Sequence, residues 1–199
     1  MENYGEIKKL IIDSLKNMES QYYHLERAPS KKELKESEKV RCVIRERNFC
    51  YELYHQIRCA NKTKQVLDNN LQISAEIDKR GYKLIENNKI PDFIIHEPGT
   101  MDNNCLVIEV KGVIDKAGIA KDFNTLLLFL DSCKYKKGIF ILFNHSLTEL
   151  KKHMNDIISK REFTTIQNKD CFKNIEIICM KEPQSNPEVI VLDDLLKCK

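Results

Sequence analysis

Apolar positions along the chain fall into helical and alternating stretches. Ile7, Leu10, Ile11, Leu15 and Met18 recur at helical spacing with lysines between them, predicting an amphipathic helix over 4–23 that covers the core. Ala28, Pro29 and Ser30 interrupt it. Ser30 and Glu33 then have capping-box spacing, so a second helical segment is expected there, with a solvated face over 31–39. A longer helix is predicted over 39–61, with a stripe of Val43, Cys50, Leu53, Tyr54 and Ile57 and with Phe49 at its margin. Leu71 to Ile77 alternates as a strand does, with Leu71, Ile73, Ala75 and Ile77 on one face. Pro91 to Gly112 holds two short apolar runs around a connector rich in Gly, Pro, Asp and Asn, the layout of a hairpin. A helix over 115–132 is marked by Ile119, Phe123, Leu126, Leu127 and Leu130. Ile139 to Phe143 is apolar on both faces, as a strand buried from both sides would be. A helix over 147–160, a strand over 175–180 and a Pro-containing tail complete the chain.

This order predicts a mixed α/β domain in which an antiparallel hairpin is followed by a β-α-β crossover. With no internal repeat and no long linker, 1–199 is expected to be one domain. It divides into an N-terminal helical extension (1–38), a core (39–180) and a tail (181–199).

Composition narrows the function classes. A chain of 199 residues with 42% hydrophobic and 32% charged residues suits a globular protein. No run approaches the roughly 18 apolar residues of a membrane span, and MENYGEIKKL lacks the pattern of a signal peptide. The eight cysteines are scattered without a C-x-x-C pair, so structural zinc is not expected and a reduced, cytoplasmic setting is. A net charge of +3 gives no global argument for nucleic acid, which would have to be met by local patches. Phosphate-cradling glycine loops, a nucleophile elbow and H-E-x-x-H are absent from the sequence. His55, three residues after Glu52, is expected to be structural.

The charges in the hairpin stand out. Glu109 and Lys111 interrupt an apolar run and share one strand face, about 7 Å apart. Asp92, on the paired strand, can reach the same face. Buried carboxylates are costly unless paired or bound to a metal. The trio is therefore either a cross-strand ion-pair cluster or a site for a hard cation such as Mg²⁺. On the helix before it, Arg45, Asn48, Glu52 and Gln56 form a polar ridge beside the buried stripe.

Pro91-Asp92 and Glu109-Val110-Lys111 resemble the PD-(D/E)xK motif of the restriction-endonuclease-like nucleases, and the resemblance covers roughly Val40 to Met180 by element order. It implies a restriction-endonuclease-like core, α-β-β-β-α-β, with the motif on the second and third strands and extra N-terminal helices. It implies that Asp92 and Glu109 bind Mg²⁺ (Mn²⁺ substituting), joined by the Val110 carbonyl. Lys111 would position the attacking water. Glu52, where many members carry an additional acid on the first core helix, would complete the metal site or bind a second ion. The implied reaction is phosphodiester hydrolysis, with DNA the expected substrate. The helix after the motif often contributes further contacts, which makes Lys121, Asp122 and Asn124 candidates. Arg45 and Gln56 are candidates for substrate binding on the polar ridge. A basic rim for phosphates is expected from Arg45, Arg47, Lys116, Lys121, Lys134, Lys136 and Lys137. Paired cuts in a duplex need two sites, which is the one ground for expecting a homodimer. The alternative is a non-catalytic module of the same fold that binds nucleic acid or a protein.

Overall fold

A computed structural model describes residues 3–27, 41–67, 70–76, 89–100, 102–164 and 168–197. The expected capping-box segment after Ser30 lies outside these residues, as does Ile77. Helices α1 (Tyr4–Lys16) and α2 (Ser20–Tyr23) come first, separated at the α1 C-cap Asn17 where a single helix was expected. Strands β1 (Leu25–Arg27) and β2 (Arg41–Val43) form a small antiparallel ribbon. The long helix α3 therefore starts at Glu46, not near Lys39, and runs to Lys64. Cys42 and Val43 pair with β1 instead of extending the helix, and Arg45 at its N-cap keeps an extended backbone.

The main sheet follows: β3 (Gln72–Ala75), β4 (Phe93–His96), β5 (Asn104–Lys111), β6 (Lys137–Phe143), β7 (Ile175–Met180) and β8 (Glu188–Val191). Helix α4 (Lys116–Asp131) joins β5 to β6. Helices α5 (Leu147–Ile158) and α6 (Arg161–Thr164) lie between β6 and β7, and α7 (Leu192–Lys197) follows β8. The six strands sit side by side in sequence order. β3, β4 and β5 are antiparallel, β5, β6 and β7 are parallel, and β8 returns antiparallel. The predicted hairpin and crossover are both present. The stretch expected to be a tail supplies an edge strand and a helix whose Leu192 and Leu195 are buried.

Strand alternation sends the two faces of the sheet into two separate cores. One face packs Leu106, Ile108, Val110, Ile139, Ile141 and Phe143 against α1, α2 and α3. The other packs Ile94, Val107, Phe140 and Leu142 against α4, α5 and α7. Helix α1 is thus part of the core: Ile7, Leu10, Ile11 and Leu15 are all buried. Phe49, expected at the stripe margin, lies at its centre and stacks on Phe143 at 3.8 Å, while Tyr23 meets both rings edge-on. No helix of the described residues is long and apolar enough to cross a membrane.

Candidate active site at the β4–β5 face

Register decides which side chains meet. Phe93 pairs with Ile108, so Asp92 falls opposite Glu109, and both lie on the α4 side together with Ile94 and Val107. Asp92 enters the strand after the buried Pro91. Asp92 Oδ2 accepts a hydrogen bond from the Val110 N–H at 2.7 Å, and its carbonyl accepts one from the Glu76 N–H at 3.0 Å. The Asp92 and Glu109 carboxyls lie close enough to shift each other's ionisation. In an antiparallel ladder a residue's N–H and C=O face the same neighbour, so the Val110 carbonyl also looks toward the Asp92 strand.

Burial dominates the electrostatics. Glu109 is only 6% exposed. Burial, then the neighbouring charges of Asp92 and Asp122, push its pKa well above the usual carboxylate range. Burial raises Asp92 to about 6, against the lowering pull of the Val110 N–H. Burial and mutual repulsion thus favour the protonated form of both acids.

Lys111 lies between two further acids, from different helices. Its Nζ is 3.3 Å from Asp122 Oδ2 on α4 and 3.5 Å from Glu46 Oε2 on α3. Burial opposes its charge, but Asp122 and Glu46 outweigh that and hold it as an ammonium. Glu46 also accepts the Gly112 N–H at 3.1 Å, tying the first turn of α3 to the end of β5. An acid is favoured in that turn by the helix dipole. The Cys50 thiol, one turn further along α3, is pushed up by burial and then by Asp92, Glu46 and Glu109.

Asp92, Glu109 and Lys111 thus converge as their spacing predicts. Glu52 does not join them. It accepts a hydrogen bond from Gln56 Nε2 at 2.6 Å and lies beside the Tyr22 hydroxyl. The helix acid that reaches Lys111 is Glu46, and six residues on a helix turn a side chain by about 240° and carry it about 9 Å along the axis. Gln56 is held on the same ridge, away from Lys111. Arg45 and Lys121 are exposed and Asn124 is half-buried. The basic rim is divided. Arg47 pairs with Glu76 at 3.3 Å and Lys116 with Asp156. Lys137 pairs with Leu106 while Lys111 pairs with Leu142, so Lys134, Lys136 and Lys137 belong to the opposite end of the sheet, about 16 Å from Lys111.

Sequence reasoning passed over Glu46 and Lys89. Lys89 is half-buried just before Pro91; burial lowers its pKa, partly offset by Glu109 and reinforced by Lys121. Its signal was no more than a lysine on the approach to Asp92. Asp122 carried a clearer one, since it occupies the α4 stripe between Ile119 and Phe123, where an apolar residue belongs.

Compared with protein-family models, curated proteins and solved structures, the chain matches none of them. The chemistry therefore rests on this donor set. Among the described residues no group of three or more His, Cys, Asp or Glu is arranged to hold a metal. A cation at this face would take two protein carboxylates and complete its shell with a carbonyl, water or substrate oxygens. Mg²⁺ accepts that mixture, since it keeps several waters and uses one or two carboxylates.

Proposed function

We propose that this chain is a Mg²⁺-dependent nuclease with a restriction-endonuclease-like core, acting on DNA. The observation that carries the reading is the pairing of half-buried Asp92 with buried Glu109, with the Lys111 ammonium on the same sheet face. Ionising both of these adjacent carboxyls is unfavourable, and a cation between them would offset the repulsion. Asp92 and Glu109 would hold Mg²⁺, with the Val110 carbonyl on the same side. Bound there, the ion would polarise the scissile phosphate and offset its charge.

The protein's own groups divide the remaining work. Lys111, kept charged by Asp122 and Glu46, donates hydrogen bonds: it orients a water and stabilises charge developing on a phosphate oxygen. In that charge state it does not accept the proton of the water, which passes to solvent or to a substrate oxygen. Val110 keeps Asp92 aimed at Glu109. Lys89, half-buried and within the field of Glu109 and Asp122, would add positive charge on the approach to Asp92.

Incubation of duplex and single-stranded DNA with Mg²⁺ or Mn²⁺ tests the reading. Cleavage is expected, and Asp92→Ala or Lys111→Ala should each reduce it by on the order of 10²-fold or more. Cleavage that persists in both variants would sink the assignment.

A further inference from the structure

We propose that Asp122 is a positioning residue that holds the Lys111 amine in place from α4. The pairing stands on the structure alone, and its use in catalysis rests on the nuclease reading above. Asp122 lies on the sheet-facing stripe of α4 with Ile119, Phe123 and Leu126, each fully buried, and is itself only 9% exposed. A carboxylate in that position is costly without a partner. Its Oδ2 has no aligned hydrogen bond and faces the Lys111 amine at 3.3 Å. The oxygen is therefore oriented by the charge it meets.

The same helix shapes the lysine stem. A Cβ at Gly118, one turn before Asp122, would lie 3.1 Å from Lys111 Cε. Helix α4 therefore provides both a wall for the stem and an anchor for the amine. A free lysine carries about 2 kcal/mol of rotamer entropy. Confinement between Gly118, Asp122 and Glu46 removes most of that freedom before any substrate binds. Without Asp122 the amine keeps only Glu46, 3.5 Å away on the side of α3, and swings toward it. That displaces the donor from the Asp92–Glu109 pair, and small misplacements of a positioned group cost catalysis heavily.

Two measurements test this. The first is a melting cycle at pH 8 in chelator, with Lys111→Met, Asp122→Asn and the double variant. Lys111→Met strands a buried carboxylate and lowers Tm. Adding Asp122→Asn to that background raises Tm again, by about 2–4 °C or more. Additive losses in the double variant would overturn the pairing. The second is cleavage in Mg²⁺ combined with calorimetric titration of Mg²⁺ alone. Asp122→Asn is expected to lower kcat about 10- to 100-fold with Mg²⁺ affinity within about twofold of wild type, and Asp122→Glu to restore part of the rate. An unchanged kcat overturns the positioning role, and a matching loss of Mg²⁺ affinity makes Asp122 a ligand instead. A wild-type protein that cleaves nothing defeats the nuclease reading, while the melting cycle still decides whether Asp122 holds Lys111.

Discussion

The Val110 N–H donates to Asp92 Oδ2 at 2.7 Å, tying the residue just before β4 to the next-to-last residue of β5. That bond satisfies one carboxylate oxygen from the main chain and leaves the group turned toward Glu109. The geometry of the acid pair is thus built into the sheet register. It does not depend on flexible side chains finding each other.

The pair makes stability depend on pH. Asp92 is raised to about 6 by burial, above the value of about 3.9 expected in an unfolded chain. An acid raised on folding contributes its full stability below the unfolded pKa and loses it as pH rises through the folded one. Asp92→Asn removes that loss while keeping an oxygen for the Val110 N–H. In chelator, the Tm of Asp92→Asn relative to wild type is therefore expected to climb between pH 4 and about 6 and then level off, worth at most about 3 kcal/mol. A difference independent of pH would show that Asp92 is not held protonated.

Glu46 and Glu52 give opposite expectations. Glu46→Gln loosens Lys111 and weakens the acceptor of the Gly112 N–H, and should lower Mg²⁺-dependent cleavage by on the order of 10²-fold. Glu52 meets Gln56 and Tyr22, and Glu52→Gln should leave the rate within about twofold. Rates measured side by side check this, and the reverse order would return Glu52 to the site.

Gly112 follows the last residue of β5 where no side chain fits. A Cβ there would lie 2.4 Å from Phe143 Cζ and 2.5 Å from Ile44 Cγ2. Gly112→Ala must push the Phe49–Phe143 stack or the strand end, and should cost about 1–3 kcal/mol in urea unfolding. A variant as stable as wild type would show that the aromatic cluster yields freely.

Much of the sheet was legible because period-2 and helical patterns report burial directly. The two-sided run Ile139–Phe143 became β6, with Ile139, Ile141 and Phe143 in one core and Phe140 and Leu142 in the other. Arg41–Val43 was misread as helix because a strand of three residues is too short to show its own period. The edge strand β8 was missed for a similar reason. The four residues Glu188–Val191, one acid followed by three apolar positions, show no alternation and are held as a strand by pairing with β7.

For the site, the sequence by itself determined that Asp92, Glu109 and Lys111 would meet, because a hairpin with alternating side chains admits few other outcomes. It also determined that α3 and α4 would flank the hairpin. Which acid each helix offers to Lys111 depended on the rotation and height of that helix against the sheet. Those are set by packing contacts distant in sequence, Phe49 on Phe143 for α3 and the Ile119–Phe123–Leu126 stripe for α4. Tertiary packing therefore chose Glu46 over Glu52 and turned Asp122 inward, because a helix can present any of its faces and only the core it rests on selects one.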